Sequence, residues 1–162
     1  MCNNVRYTYE EVEEMTDAFG VAAYLLSKAD IKEGDGMTHL KLQKLLYYCQ
    51  GFALVLLGKP LFHNEIEAWD HGPVVVDVYH VFKKYGDEII ADLGPGNIYT
   101  LTDDEKTMIN DVYEVYGGYS ASRLRNLTHN ESPWIGAENK IDKTITHEAM
   151  RDFFPSLVNS AA

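Results

Sequence analysis

Between residues 38 and 58 the sequence places Leu42, Leu45, Leu46, Cys49, Phe52, Ala53 and Leu56 at helical spacing. Thr38 is suited to cap the start of this helix, and Gly58 and Pro60 stop it. A helix with so much apolar surface is a core element. Gln43, Lys44 and Gln50 interrupt it, so residues 42–57 fall short of the uncharged run of about 18 residues that a membrane span needs. A chain of 162 residues, 46% hydrophobic and 24% charged, matches one globular domain with one core.

Helix signals dominate the rest. Residues 8–11 read as a capping box, after which Val12, Met15, Phe19, Ala22 and Leu26 recur at helical spacing, with Thr16-Asp17 as an alternative start. Residues 32–36 form a turn, and the alternation of Ile66 and Ala68 with Glu65 and Glu67 predicts a short strand within residues 64–70. Pro73 suits the first turn of a following helix, with Val74, Val78, Val81 or Phe82, and Tyr85 as its apolar stripe. After a glycine-proline turn at residues 93–97, residues 98–101 read as a second short strand paired with the first. Residues 102–105 are a capping box for a helix carrying Met108, Ile109, Val112 and Val115. Ser120 opens a short helix through Leu124 and Leu127, and a last helix over residues 146–154 brings Met150, Phe153 and Phe154 to the core. The expected fold is mainly α: a compact single-domain helical bundle with a minor, hairpin-like sheet.

The balance of charge, 14 basic against 25 acidic residues for a net −11, argues against nucleic acid as the principal partner, because that affinity comes largely from Lys and Arg on phosphates. It fits a basic partner protein, and equally a surface tuned for solubility. The acidic N-terminal stretch lacks the pattern of a secretion signal, and only Cys2 and Cys49 are present, both expected as free thiols; a cytoplasmic location follows. No serine sits in a Gly-x-Ser-x-Gly elbow, Gly94-Pro95-Gly96 lacks the rest of a phosphate or dinucleotide loop, and His147-Glu148 lacks a second histidine four residues on. The six histidines are scattered. No catalytic site, metal or cofactor is expected, and the chain is not expected to be an enzyme.

Two groups of residues stand out as candidate contacts. Around Trp69-Asp70-His71-Gly72-Pro73, a Gly-Pro junction can hold Trp69 and His71 in fixed directions at the surface; Trp69 packed beneath the junction is the other reading. Along the long helix, Lys41, Lys44 and Tyr48, with Tyr47 at the border, fall three and four residues apart opposite the leucines. They form a basic-aromatic stripe that suits either an interface or a solvated face. His129 and Trp134, in the turn-rich stretch 127–134, divide in the same way between contact and core.

The run from Leu40 through Lys41, Lys44, Tyr47 and Tyr48 to Gly51, then Pro60-Leu61-Phe62, then residues 66–75 with Ala68-Trp69-Asp70-His71-Gly72-Pro73, then Leu127-Thr128-His129 and Pro133-Trp134, resembles the Panacea domain, also known as the SocA-like antitoxin or phage-associated domain. The resemblance covers residues 16–155, leaving 1–15 as an acidic extension or the start of the first helix and 156–162 as a tail. It implies a prophage-associated antitoxin that neutralises a small cognate protein toxin by direct binding. Toxins resembling small alarmone synthetases are among the partners it implies. One relative resembles a proteolytic adaptor that hands its toxin to an ATP-dependent protease, which is the alternative. Many members carry a DNA-binding helix-turn-helix ahead of the domain, whereas here it is preceded by a short stretch, residues 1–15, with Glu10, Glu11, Glu13 and Glu14, so autoregulation by this chain is not expected. The partner-binding residues the resemblance implies are Lys41, Lys44, Tyr47, Tyr48, Trp69, His71, Gly72 and Pro73, with His129 and Trp134.

Overall fold

The computed structural model describes residues 17–29 and 36–160, the last two without their side chains. The capping box at residues 8–11, Val12, Met15, Cys2 and most of the 32–36 turn lie outside the described residues. Helices α1 (Ala18–Lys28), α2 (His39–Leu56), α3 (Val76–Phe82), α4 (Asp103–Tyr116), α5 (Ala121–His129), α6 (Ser132–Ala137) and α7 (His147–Ser160) surround a two-stranded sheet of β1 (Ile66–Trp69) and β2 (Gly72–Val75). The mainly α bundle with a minor sheet is therefore the observed architecture.

Capping fixes the helix starts where the sequence places them. Asp17 accepts from Gly20 N on α1, Thr38 from Lys41 N on α2 and Ser120 from Arg123 N on α5. Thr102 and Glu105 form a reciprocal capping box on α4. The last helix passes its expected end at Phe154 and continues through Pro155 to Ser160.

The long helix α2 is the axis of the molecule: α1, α4, α5, α7 and β2 all pack on it. Burial therefore extends around nearly all of its circumference, taking in Gln43, Lys44, Tyr47, Tyr48 and Gln50 with the leucines. This corrects the expected basic-aromatic stripe. Lys44, Tyr47 and Tyr48 face the interior, because helices and the sheet cover the side opposite the leucines as well.

The sheet also differs from expectation. Residues 98–101 do not form its second strand; Ile98–Thr100 is a turn of 3₁₀-helix. The partner of β1 is the segment 72–75, in the antiparallel register Ile66↔Val75, Glu67↔Val74, Ala68↔Pro73 and Trp69↔Gly72. Pro73 is thus a strand residue, and α3 starts only at Val76. Ala68, opposite Pro73, sends its N–H away from the hairpin to Lys143 O at 2.8 Å, so the donor that proline lacks is not needed there. Neither strand edge is left bare. Residues 143–145 bond the outer edge of β1, and Gln43 and Lys44 of α2 bond Val75 N (2.7 Å) and Pro73 O (3.2 Å) on β2.

Candidate functional site

The two-residue connection Asp70-His71 projects from the end of the hairpin, and both residues are exposed. Its backbone is held from the opposite side by α5 and α6. His129, the last residue of α5, places Nε2 2.8 Å from Asp70 O and Nδ1 2.7 Å from Arg125 O. A carbonyl only accepts, so both bonds form together only when both ring nitrogens carry a hydrogen. Trp134, in the first turn of α6, donates its indole N–H to Trp69 O at 2.8 Å, and its ring lies against the His129 imidazole with centroids 4.0 Å apart. Trp69 is half-buried and meets Tyr79 edge-to-face at 4.7 Å. The turn is a clamped projection, with the Trp69 and Asp70 carbonyls met by Trp134 and His129.

Beneath it lies a polar core that the sequence conceals. Gly72 has φ +110°, and a Cβ there would stand 2.6 Å from Lys44 Cε and 2.9 Å from Thr128 Oγ1. Only glycine lets β2 pass this close to α2 and α5. Burial, then the neighbouring Arg125 guanidinium, pushes the Lys44 ammonium down to about 7. Tyr47 and Tyr48 are fully buried, and each hydroxyl donates to Glu131, to Oε1 at 3.0 Å and to Oε2 at 2.8 Å. Burial raises the Glu131 carboxyl to about 7, although the two tyrosine hydrogen bonds pull the other way. The same burial, followed by the Glu131 charge, raises both phenols well above their usual range. Phe154 closes this core edge-on to Tyr47 at 5.4 Å, and Gly51 makes room for its ring.

The predicted contact residues therefore separate by depth. His71 is exposed, Trp69, Lys41 and His129 are half-buried, and Lys44, Tyr47, Tyr48, Gly72, Pro73 and Trp134 are buried. Trp134 belongs to a helix, α6, where the sequence suggests a turn. What brings the two motif regions together is hydrogen bonding between them, across more than 80 residues of chain in the tyrosine–Glu131 pairs. Sequence reasoning missed Glu131, Gln43 and Thr128. The available signal was the pair Tyr47-Tyr48 on a core helix, since buried hydroxyls require an acceptor. Among the described residues no group of three His, Cys, Asp or Glu side chains is arranged to hold a metal, and no helix is long and apolar enough to cross a membrane.

The family model of the antitoxin SocA-like Panacea domain matches residues 42–135, more than half of the chain. This chain belongs to that family. The matched span runs from α2 into α6, so the Panacea domain match contains the clamped turn, Lys44, the two tyrosines and Glu131. Antitoxin SocA of Caulobacter vibrioides (strain NA1000 / CB15N) is 42% identical over 79 residues, which are 49% of this chain and 42% of that protein. The match thus spans less than half of the relative's length. No solved structure matches.

Proposed function

We propose that this Panacea-domain chain is the antitoxin of a toxin–antitoxin pair and neutralises a cognate protein toxin by binding it directly. The observation that carries the reading is the family match over residues 42–135, which takes in the whole clamped turn. The geometry is consistent with it. Asp70 and His71 stand out from a hairpin whose carbonyls are fixed by His129 and Trp134, so little ordering entropy opposes a contact made there. On this reading the chain works stoichiometrically, not as an enzyme.

The test is growth of bacteria expressing the adjacent gene, with and without this chain, followed by co-purification. Rescue together with a stable complex supports neutralisation by binding. Rescue accompanied by loss of the partner from the cells indicates delivery to an ATP-dependent protease instead. Absence of rescue overturns the antitoxin reading. Alarmone synthesis by the co-purified partner is the assay that assigns it to the synthetase-like class.

A further inference from the structure

An open groove of about 180 Å³ runs between α2, α4 and α7, on a part of the molecule separate from the clamped turn. Phe52, Leu56, Met108, Val112, Val115 and Leu157 line it, with Leu56 54% and Val115 51% exposed. These two aliphatic side chains stand half in water on neighbouring helices, on either side of one groove. One flank is anionic. Asp104, Met108, Asp111 and Val115 follow one another at spacings of four and three, which puts both carboxylates on the groove face of α4, and exposed Glu114 extends the charge. The single cation of α4, Lys106, falls at the spacing of Asn110, which the Tyr24 hydroxyl of α1 bonds on another face.

We propose that this groove receives a basic amphipathic helix of the partner protein, its apolar face on Leu56 and Val115 and its Lys or Arg side chains against Asp104, Asp111 and Glu114. The proposal rests on the antitoxin reading and adds the surface and the chemistry of the partner. Grooves between helices take a helix through anchors at i, i+3 or i+4, and i+7, and the acidic flank selects one of complementary charge. Charge also decides against the two other occupants. Residues 1–16 carry Glu10, Glu11, Glu13 and Glu14 against Arg6, and a second copy related by two-fold symmetry would bring the same carboxylates to the same seam. The groove is tied to the family core: Tyr116, part of its lining, stacks on Tyr48 at 4.1 Å and 10°, and Tyr48 donates to Glu131.

The experiment uses the full chain and the product of the adjacent gene, first as the wild-type pair. Leu56→Asp with Val115→Asp is expected to weaken the complex by about 100-fold or more, which is the loss of two anchors, while the melting temperature stays near wild type because both side chains are half-exposed. Asp111→Lys with Glu114→Lys is expected to slow association about tenfold at low salt and little at high salt. A photo-crosslinking residue at Val115 is expected to join a Lys- or Arg-bearing helix of the partner. Unchanged affinity of the aspartate variant, or cross-links confined to residues 1–16 or to a second copy of the chain, overturns the groove assignment while leaving the antitoxin reading in place. A wild-type pair that forms no complex overturns neutralisation by binding and the groove with it.

Discussion

At Gly72 a single missing Cβ decides whether β2 can lie against Lys44 and Thr128. Gly72→Ala combines a φ of +110° with contacts of 2.6 and 2.9 Å, and it is expected to destabilise the fold by about 3 kcal/mol in urea unfolding. A loss below about 1 kcal/mol contradicts the close packing described. Glu131 offers a test of a different kind. Its carboxyl is raised from 4.5 to about 7, so the folded chain holds the proton more tightly than the unfolded one across that window. Its contribution to stability is fully present below about 4.5 and is lost as the pH rises to about 7. His39 acts in the opposite sense: burial, then Lys44, lowers it from 6.5 to about 4, so its contribution is present above 6.5 and lost as the pH falls. The difference between wild type and Glu131→Gln therefore isolates the carboxylate. From pH 5 to pH 8 the glutamine variant is expected to gain about 2 kcal/mol relative to wild type. Parallel stability curves contradict it. His71, exposed at the turn, is the residue whose removal separates contact from fold: His71→Ala is expected to weaken partner binding by about tenfold with an unchanged melting temperature.

At the scale of elements, the longer helices are legible in the sequence, the short helix α6 and the start of α3 are not, and the sheet is only half so. Thr38, Thr102 and Ser120 mark their helix starts because capping is local chemistry, one side chain satisfying one nearby N–H. The strand β1 shows in the alternation of Ile66 and Ala68 with Glu65 and Glu67, since one of its faces is buried. Its partner does not show. All four residues of β2 are buried, so no alternation remains, and Gly-Pro-Val-Val also satisfies the rules for a helix start. The Asp70-His71 connection lacks the Asn-Gly signature of a two-residue hairpin turn. The candidate site was legible as motif and illegible as geometry. Trp69 through Pro73 and His129 through Trp134 are visible in the sequence, but their union through Trp134 to Trp69 O and His129 to Asp70 O is tertiary. The sequence puts Lys44, Tyr47 and Tyr48 on a polar face of α2, and that face is buried because other elements, invisible to helical spacing, pack on it as well. Trp134→Phe tests the clamp as an element, removing one N–H and keeping the ring. It is expected to cost about 1 kcal/mol of stability and to weaken partner binding by more than that, through a loosened turn. Equal small effects on both indicate that the bond serves the fold alone.

For the whole molecule, the proposed function combined with a net charge of −11 predicts that the encounter with a basic partner is electrostatically steered. Association is expected to slow about tenfold or more between about 50 mM and 500 mM salt, with dissociation changed far less; an on-rate indifferent to salt removes steering from the account. The central claim is that binding itself neutralises. Its most direct test is a titration of the purified toxin with this chain, following toxin activity with no protease and no ATP present. The account predicts that activity falls linearly to zero at a fixed stoichiometric ratio, and toxin that stays fully active beside a large excess of this chain contradicts it.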